Sequence, residues 1–270
     1  MSNRGGIRRA VAGLLGRKAS GSRAFDKLFL AATRGKADAQ YQLGLLYARG
    51  SETMHYPSIG LKWLTRAAEQ GHADAQHTVS LLYLSGAQAR GPAASWMSEV
   101  ASLAGQAVPA NANAALLYPE GLDVAADATK AFTWAKAAAT QGLPAAQANL
   151  GMLYLRGIGC ERNFAEAARW CRLAADQGEA GGALGLGLVF EHGLGVSADC
   201  VEAACWYRLA TERGNDAAAT ALGLLHLEGR GVAADESAAR NLLVGPANRG
   251  NAFAKEGLKR LHLVASTRAA

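Results

Sequence analysis

Residues 145–178 read AAQANLGMLYLRGIGCERNFAEAARWCRLAADQG, and residues 180–214 read AGGALGLGLVFEHGLGVSADCVEAACWYRLATERG. The two lines are one pattern. Leu150 and Gly151 return as Leu186 and Gly187, Gly157 and Gly159 as Gly193 and Gly195, Trp170 as Trp206, and Gly178 as Gly214. Every offset is 36 residues. A fixed period of that size marks a repeat array and sets the frame for every other residue.

Each copy divides into two helical stretches, here called A and B. In the A stretch, Ala146, Leu150, Leu153 and Tyr154 fall at helical spacing. Gly151 costs about 1 kcal/mol against alanine inside a helix. Its return in each copy implies a neighbour too close for a Cβ. Gly157 and Gly159 end the stretch, because glycine enters the left-handed region cheaply. The B stretch opens on Asn163, with Asp199 and Asp235 at the equivalent places. Their side-chain oxygens suit an N-cap. Glu166 and Glu202 follow at capping-box spacing. Ala167, Trp170, Ala174 and Ala175 then form an apolar stripe, in which the tryptophan is expected to fill the gap left by the alanines. One hairpin cannot bury such a face, and adjacent copies bury it for each other.

The rhythm extends outward in both directions. Residues 24–35 read as a lone B helix, and a full unit follows with Leu43, Gly44, Tyr47, Pro57, Trp63 and Gly71. The next unit is irregular. Ser80 takes the glycine's place, and Trp96 follows Tyr83 by 13 residues instead of 16, so a distorted stack is expected between Gly86 and Gly121. In the last full unit Leu242 replaces the tryptophan, and Pro246 is expected to kink or shorten helix B. Residues 252–261 form one more A helix. The predicted fold is all-α: an α/α solenoid, or superhelix, of about six helix-turn-helix repeats with capping half-repeats. It spans residues 23–264, after a basic, disordered tail at 1–22 and before a frayed end at 265–270.

Charge is unevenly placed. Arg4, Arg8, Arg9, Arg17, Lys18 and Arg23 precede the first acid, Asp26. Setting those six aside from 28 basic residues leaves 22, equal to the 22 acidic ones. The repeat body therefore offers no electrostatic case for nucleic acid. Within the tail, Ile7, Val11, Leu14 and Leu15 make a short apolar stripe, which leaves a targeting peptide or a membrane-surface helix as alternatives to a solvated terminus. No apolar run approaches the length of about 18 residues that a transmembrane helix needs.

The pattern A-x-x-x-L-G-x-x-Y-x-x-G-x-G-V-x-x-D, then A-x-x-W-x-x-x-A-A-x-x-G, resembles the Sel-one-like repeat family, a relative of the tetratricopeptide repeats. Leu186, Gly187, Gly193, Gly195, Val196, Asp199, Ala203, Trp206, Ala210 and Gly214 carry the match. The resemblance covers residues 24–261. It implies an α-solenoid that acts as an adaptor or scaffold for a protein or peptide partner, as in bacterial signalling, regulation or secretion. A disulfide-rich branch of that family, with paired cysteines in each repeat, has been linked to β-lactam binding or hydrolysis. Cys160, Cys171, Cys200 and Cys205 include none on an A helix, so the pairing is absent. They form no C-x-x-C pattern, which favours a reducing compartment and a cytoplasmic location.

No catalytic, cofactor or metal constellation is read from the chain. The six histidines are scattered. His77 and Ser80 are one helical turn apart but lack an acid partner, and a triad needs three groups in defined roles. No G-x-G-x-x-G follows a strand. The recurrence of the tryptophans among alanines assigns them to packing rather than to a ligand cage.

The resemblance implies that A helices line a concave face. Three rows of A-helix positions are then expected to face it. One is Tyr41, His77, Ala148, Leu184 and Thr220. A second is Gln42, Thr78, Asn149, Gly185 and Ala221, and a third is Arg49, Ser85, Glu120, Arg156, His192 and Glu228. Glu120 and Glu228 are unfavourable at a helix C-terminus, so this last row is not explained by the helix dipole. The residues assigned to partner binding are Tyr41, Gln42, Arg49, His77, Asn149, Arg156, His192 and Glu228. Because the repeats begin after the tail, removing residues 1–22 is predicted to leave the thermal melting midpoint unchanged. A clear fall in that midpoint would mean that the tail docks on the array.

Overall fold

A computed structural model describes residues 23–49, 57–86 and 124–268. Twelve helices occur among them: α1 (Arg23–Thr33), α2 (Ala37–Arg49), α3 (Pro57–Glu69), α4 (Ala73–Ser85), α5 (Ala128–Thr140), α6 (Pro144–Arg156), α7 (Phe164–Asp176), α8 (Ala180–His192), α9 (Cys200–Glu212), α10 (Asp216–Glu228), α11 (Glu236–Asn248) and α12 (Ala252–Arg268). The chain forms two compact units, Met1–Ala138 and Ala139–Ala270. In the second unit α6–α7, α8–α9 and α10–α11 are A–B hairpins, and α12 is a lone A helix.

One contact recurs in these hairpins. A Cβ added to Gly151 would stand 2.5 Å from the Cys171 sulfur; at Gly187 it would stand 2.3 Å from the Tyr207 ring, and at Gly223 2.9 Å from Leu243. In the first unit Gly44 meets Leu64 in the same way, at 2.6 Å. The A-helix glycine is therefore a socket, and what enters it is the residue after the tryptophan. That residue is fully buried each time: Leu64, Cys171, Tyr207 and Leu243. The tryptophans are less central than their recurrence suggested. Trp170 is buried, whereas Trp63, Trp134 and Trp206 are only half-buried. Glu166 and Glu202 accept the indole N–H of Trp170 and Trp206 at 3.0 and 2.9 Å, a task that capping-box spacing alone did not announce.

Turns follow the expected chemistry. Asn163, Asp199 and Asp235 cap α7, α9 and α11 by accepting from backbone N–H groups one turn on. Gly157, Gly193 and Gly229 end α6, α8 and α10 in the left-handed conformation. The second loop glycine packs on the start of the preceding B helix, since a Cβ at Gly231 would stand 2.1 Å from the Cys200 carbonyl oxygen. Pro246 does not shorten α11, which keeps the 13 residues of its counterparts. It is buried at the place of Ala174 and Ala210, where packing holds the last turn helical.

Buried glutamines stitch B to A. Gln40, Gln76 and Gln147 each donate to a carbonyl at the end of the preceding B helix, on Ala32, Ala68 and Ala139, at 3.1, 3.0 and 3.3 Å. Gln70 and Gln177 then donate to Gln40 and Gln147 at 2.6 and 2.7 Å. Each of these carbonyls also accepts from the turn glycine that follows, Gly35, Gly71 or Gly142, so the glutamine occupies its second lone pair.

In the first unit, α5 seats on α4 as its B helix. The Asp127 N–H donates to the Tyr83 carbonyl at 2.8 Å, just as Asp199 donates to Phe190. Lys130 lies over the Tyr83 ring, and Trp134 packs on the cluster containing Val79. Ser80, which replaces the socket glycine, and Ala135, which follows Trp134, are both fully buried. Trp96, Tyr118 and Glu120, read as part of the irregular stretch, lie outside the described residues.

Two predictions follow from the sockets. Gly187→Ala should cost about 1–3 kcal/mol by overpacking against Tyr207. Combined with Tyr207→Leu, its cost should shrink, with a coupling of about 1 kcal/mol or more in a denaturation cycle; strict additivity would disprove the socket contact. Burial between Gly151 and Gly185 pushes the Cys171 thiol up to about 12, so it stays protonated below that pH. At about pH 8 a disulfide reagent should label exposed Cys205 in the folded protein and Cys171 only on unfolding.

Candidate docking face

Among the described residues no group of three His, Cys, Asp or Glu side chains gathers as a metal set, and no helix is long and apolar enough to cross a membrane. What the second unit does build is a face. Its A helices pack more closely on one another than its B helices do. The A row is thus the inner side of this unit.

The outward stripe of each A helix repeats at i, i+4, i+7 and i+11, the spacing of one helix face. Its first positions are Ala145, Gly181 and Ala217, and its second are Asn149, Gly185 and Ala221. The third positions are Met152, Leu188 and Leu224, all half-buried. The last are Arg156, His192 and Glu228, all exposed. Small residues form a trough, larger apolar ones a ridge, and charged ones a rim. Each ridge residue leans toward the small residue of the next repeat: Met152 toward Gly185, and Leu224 toward Gly257. The Met152, Leu188 and Leu224 row escaped the sequence reading. Its signal was available, since Leu45 and Leu81 occupy the same register in the first unit, with Leu81 exposed.

The structure sorts the sequence-assigned residues. Asn149, Arg156, His192 and Glu228 fall on this stripe. In the first unit Gln42 is exposed, Tyr41 and His77 are half-buried, and the side chain of Arg49 lies outside the described residues. Tyr41 stacks on His72 with ring centroids 4.6 Å apart. The row read through Tyr41 and His77 needs correction further on. Ala148 and Thr220 are buried, because successive A helices meet there; a Cβ at Gly181 would lie 3.2 Å from Ala148. Gly185, from the second row, is buried as well, with the Cys171 sulfur filling the space beside it.

Charges at the rim are mostly compensated within the fold. Glu191 accepts from the Tyr207 hydroxyl at 2.7 Å and from Arg230 at 3.1 Å. Glu228 pairs with Arg230 at 3.3 Å and with Arg260 at 3.1 Å. Burial, and then the bond to Glu191, push the Tyr207 phenol up, so it remains a donor. Asp216 is held by both nitrogens of an Arg249 fork, which keeps its carboxyl below the usual range. Arg156 makes no ion pair with the described residues. On the opposite side of the unit the tryptophans are occupied. Arg169 lies over Trp170 and Arg172 over Trp206, each 4.4 Å from the ring centroid.

The geometry is that of a repeat scaffold, and comparisons with known proteins agree. No curated protein matches the chain. Among solved structures, a Sel1 repeat protein from Oxalobacter formigenes is 24% identical with a TM-score of 0.66, covering 92% of this chain and 84% of that one. A putative Sel1 repeat protein from Klebsiella pneumoniae is 18% identical with a TM-score of 0.50, covering 87% and 98%. The Escherichia coli protein c5321, a protective antigen present in uropathogenic strains and displaying an SLR fold, is 31% identical with a TM-score of 0.48; the match covers 91% of this chain but only 52% of that one. The Sel1 repeat itself is matched at residues 37–72, 108–143, 144–179, 180–215 and 216–243. The chain therefore belongs to the Sel1 repeat family, whose members are generally scaffolds for protein–protein interaction.

Proposed function

We propose that the chain is a non-catalytic docking scaffold that holds a protein or peptide segment along the A-helix face of its second unit. The observation that carries this reading is the stripe itself. The socket glycine returns unchanged at 151, 187 and 223, whereas the rim changes from Arg156 to His192 to Glu228. A constant frame with a variable face is what recognition requires. The trough of Ala145, Gly181, Ala217 and Ala221 lets a bound backbone approach closely, and the ridge of Met152, Leu188 and Leu224 offers apolar area to bury. Cys171 is fully buried and all four thiols are free, which fits a reducing compartment such as the cytoplasm and not the disulfide-rich enzymatic branch.

The test is a pair of photo-crosslinkable residues, one at Ala217 on the inner face and one at Arg208 on the outer face, both exposed. In the host cell the probe at position 217 should yield a protein adduct and the one at 208 should not. An adduct at 208 alone would place recognition on the B helices and sink the proposal.

A further inference from the structure

We infer that the segment held by the second unit is apolar along the trough and carries a carboxylate that meets Arg156. This rests on the docking reading above and specifies its ligand. The A helices supply the first argument. α6 carries one charged residue, Arg156, and it stands at the rim. α8 carries Glu191 and His192 only at its end. At the level of the trough and ridge the partner therefore meets Ala145, Gly181, Met152, Leu188 and Leu224, and the one carboxylate beside Gly181, Glu179, is engaged in capping α8 through the Gly181 N–H at 3.3 Å. A charged side chain pressed there would lose water and gain no partner.

The rim supplies the second argument. Its acids are already answered inside the fold, Glu191 by Arg230 and Tyr207 and Glu228 by Arg230 and Arg260; at the other end of the A helices Asp216 is held by Arg249 and Glu179 by the start of α8. His192 stands 4.0 Å from Glu191. Arg156 is exposed and has no ion-pair partner among the described residues. The uncompensated charge of this face is thus positive, and its guanidinium fork suits a planar carboxylate. A basic segment would find no free acid here and would meet Arg156 as a like charge.

The experiment selects a phage-displayed random-peptide library on the immobilised full-length chain and counts acidic, basic and apolar residues in the enriched pool. Peptides rich in apolar residues with an acidic excess are expected. The best of them, synthesised and titrated, should lose about tenfold or more in affinity against Arg156→Glu. Arg156→Lys, which keeps the charge and loses the fork, should fall between the parent and Arg156→Glu, and Arg208→Glu on the outer face should change nothing. Because Arg156 is exposed, melting of the variants should stay within about 3 °C of the parent. An enriched pool that is neutral or basic, or an acidic peptide indifferent to Arg156→Glu, overturns the inference while leaving the docking reading standing. A chain that enriches no peptide overturns both.

Discussion

Everything in this fold depends on how closely an A helix approaches its B helix. The distance is set by a missing Cβ. Gly44, Gly151, Gly187 and Gly223 admit Leu64, Cys171, Tyr207 and Leu243 into space that an alanine would occupy. The entering residue varies widely in size, and its surroundings adjust. Cys171 is small enough for a second glycine, Gly185, to close on it from the next A helix. Tyr207 is long enough to carry its hydroxyl through the hairpin to Glu191. A buried hydroxyl without an acceptor is costly, so the carboxylate at the end of α8 is part of the same device. Glu191 in turn holds Arg230 of the following loop, which pairs with Glu228 and so reaches Arg260 on α12. One large residue in a socket thus leads to an ion network that joins successive repeats.

The ends of the B helices show a similar exchange of parts. Their last carbonyls point at the next A helix, where water is scarce. Gln147 answers Ala139 directly. One repeat later Ala183 stands where that glutamine would be, and it has nothing to donate. Arg213, at the place of Gln177, reaches back to the Ala175 carbonyl at 3.2 Å. The acceptor is the equivalent one; the donor now comes from the far side of the junction. Another repeat later Arg249 occupies the same register and turns to Asp216. What the repeats preserve here is the turn glycine's bond to that carbonyl, from Gly142, Gly178 and Gly214 to Ala139, Ala175 and Thr211, while the side chain at the junction is free to change.

Much of this was legible in the sequence, and the failures have physical reasons. Period, caps and turn glycines announced the helices because each is a local property of a few neighbouring residues. Gly151 announced a close approach. It could not announce its partner, because Trp170 and Cys171 are adjacent and only the helix rotation decides which one turns inward. Tryptophan recurs more visibly, yet Trp63, Trp134 and Trp206 stay at the boundary, where the Trp206 N–H meets Glu202. The face was half legible for the same reason. Arg156, His192 and Glu228 were found from their register, whereas Ala148 and Thr220 were placed on the open side though the crossing of successive A helices buries them. The seating of α5 on α4 was not legible at all. Residues 108–143 match the repeat as a continuous unit, but Asp127 bonds to Tyr83 across the intervening segment.

The same contact distinguishes α12 from the A helices before it. In the register of the array, Leu222, Gly223 and Leu225 of α10 correspond to Leu258, Lys259 and Leu261 of α12. Leu261 is fully buried and Leu258 packs on the last core cluster, so the side of α12 that faces α11 obeys the pattern. The socket does not. It holds Lys259, whose side chain is 73% exposed and reaches Glu256. A B helix brought to the usual distance would bury an ammonium group against an apolar residue, a cost that no neighbouring acid offsets at that depth. α12 therefore completes the hairpin before it without offering the glycine socket that α6, α8 and α10 offer to their B helices.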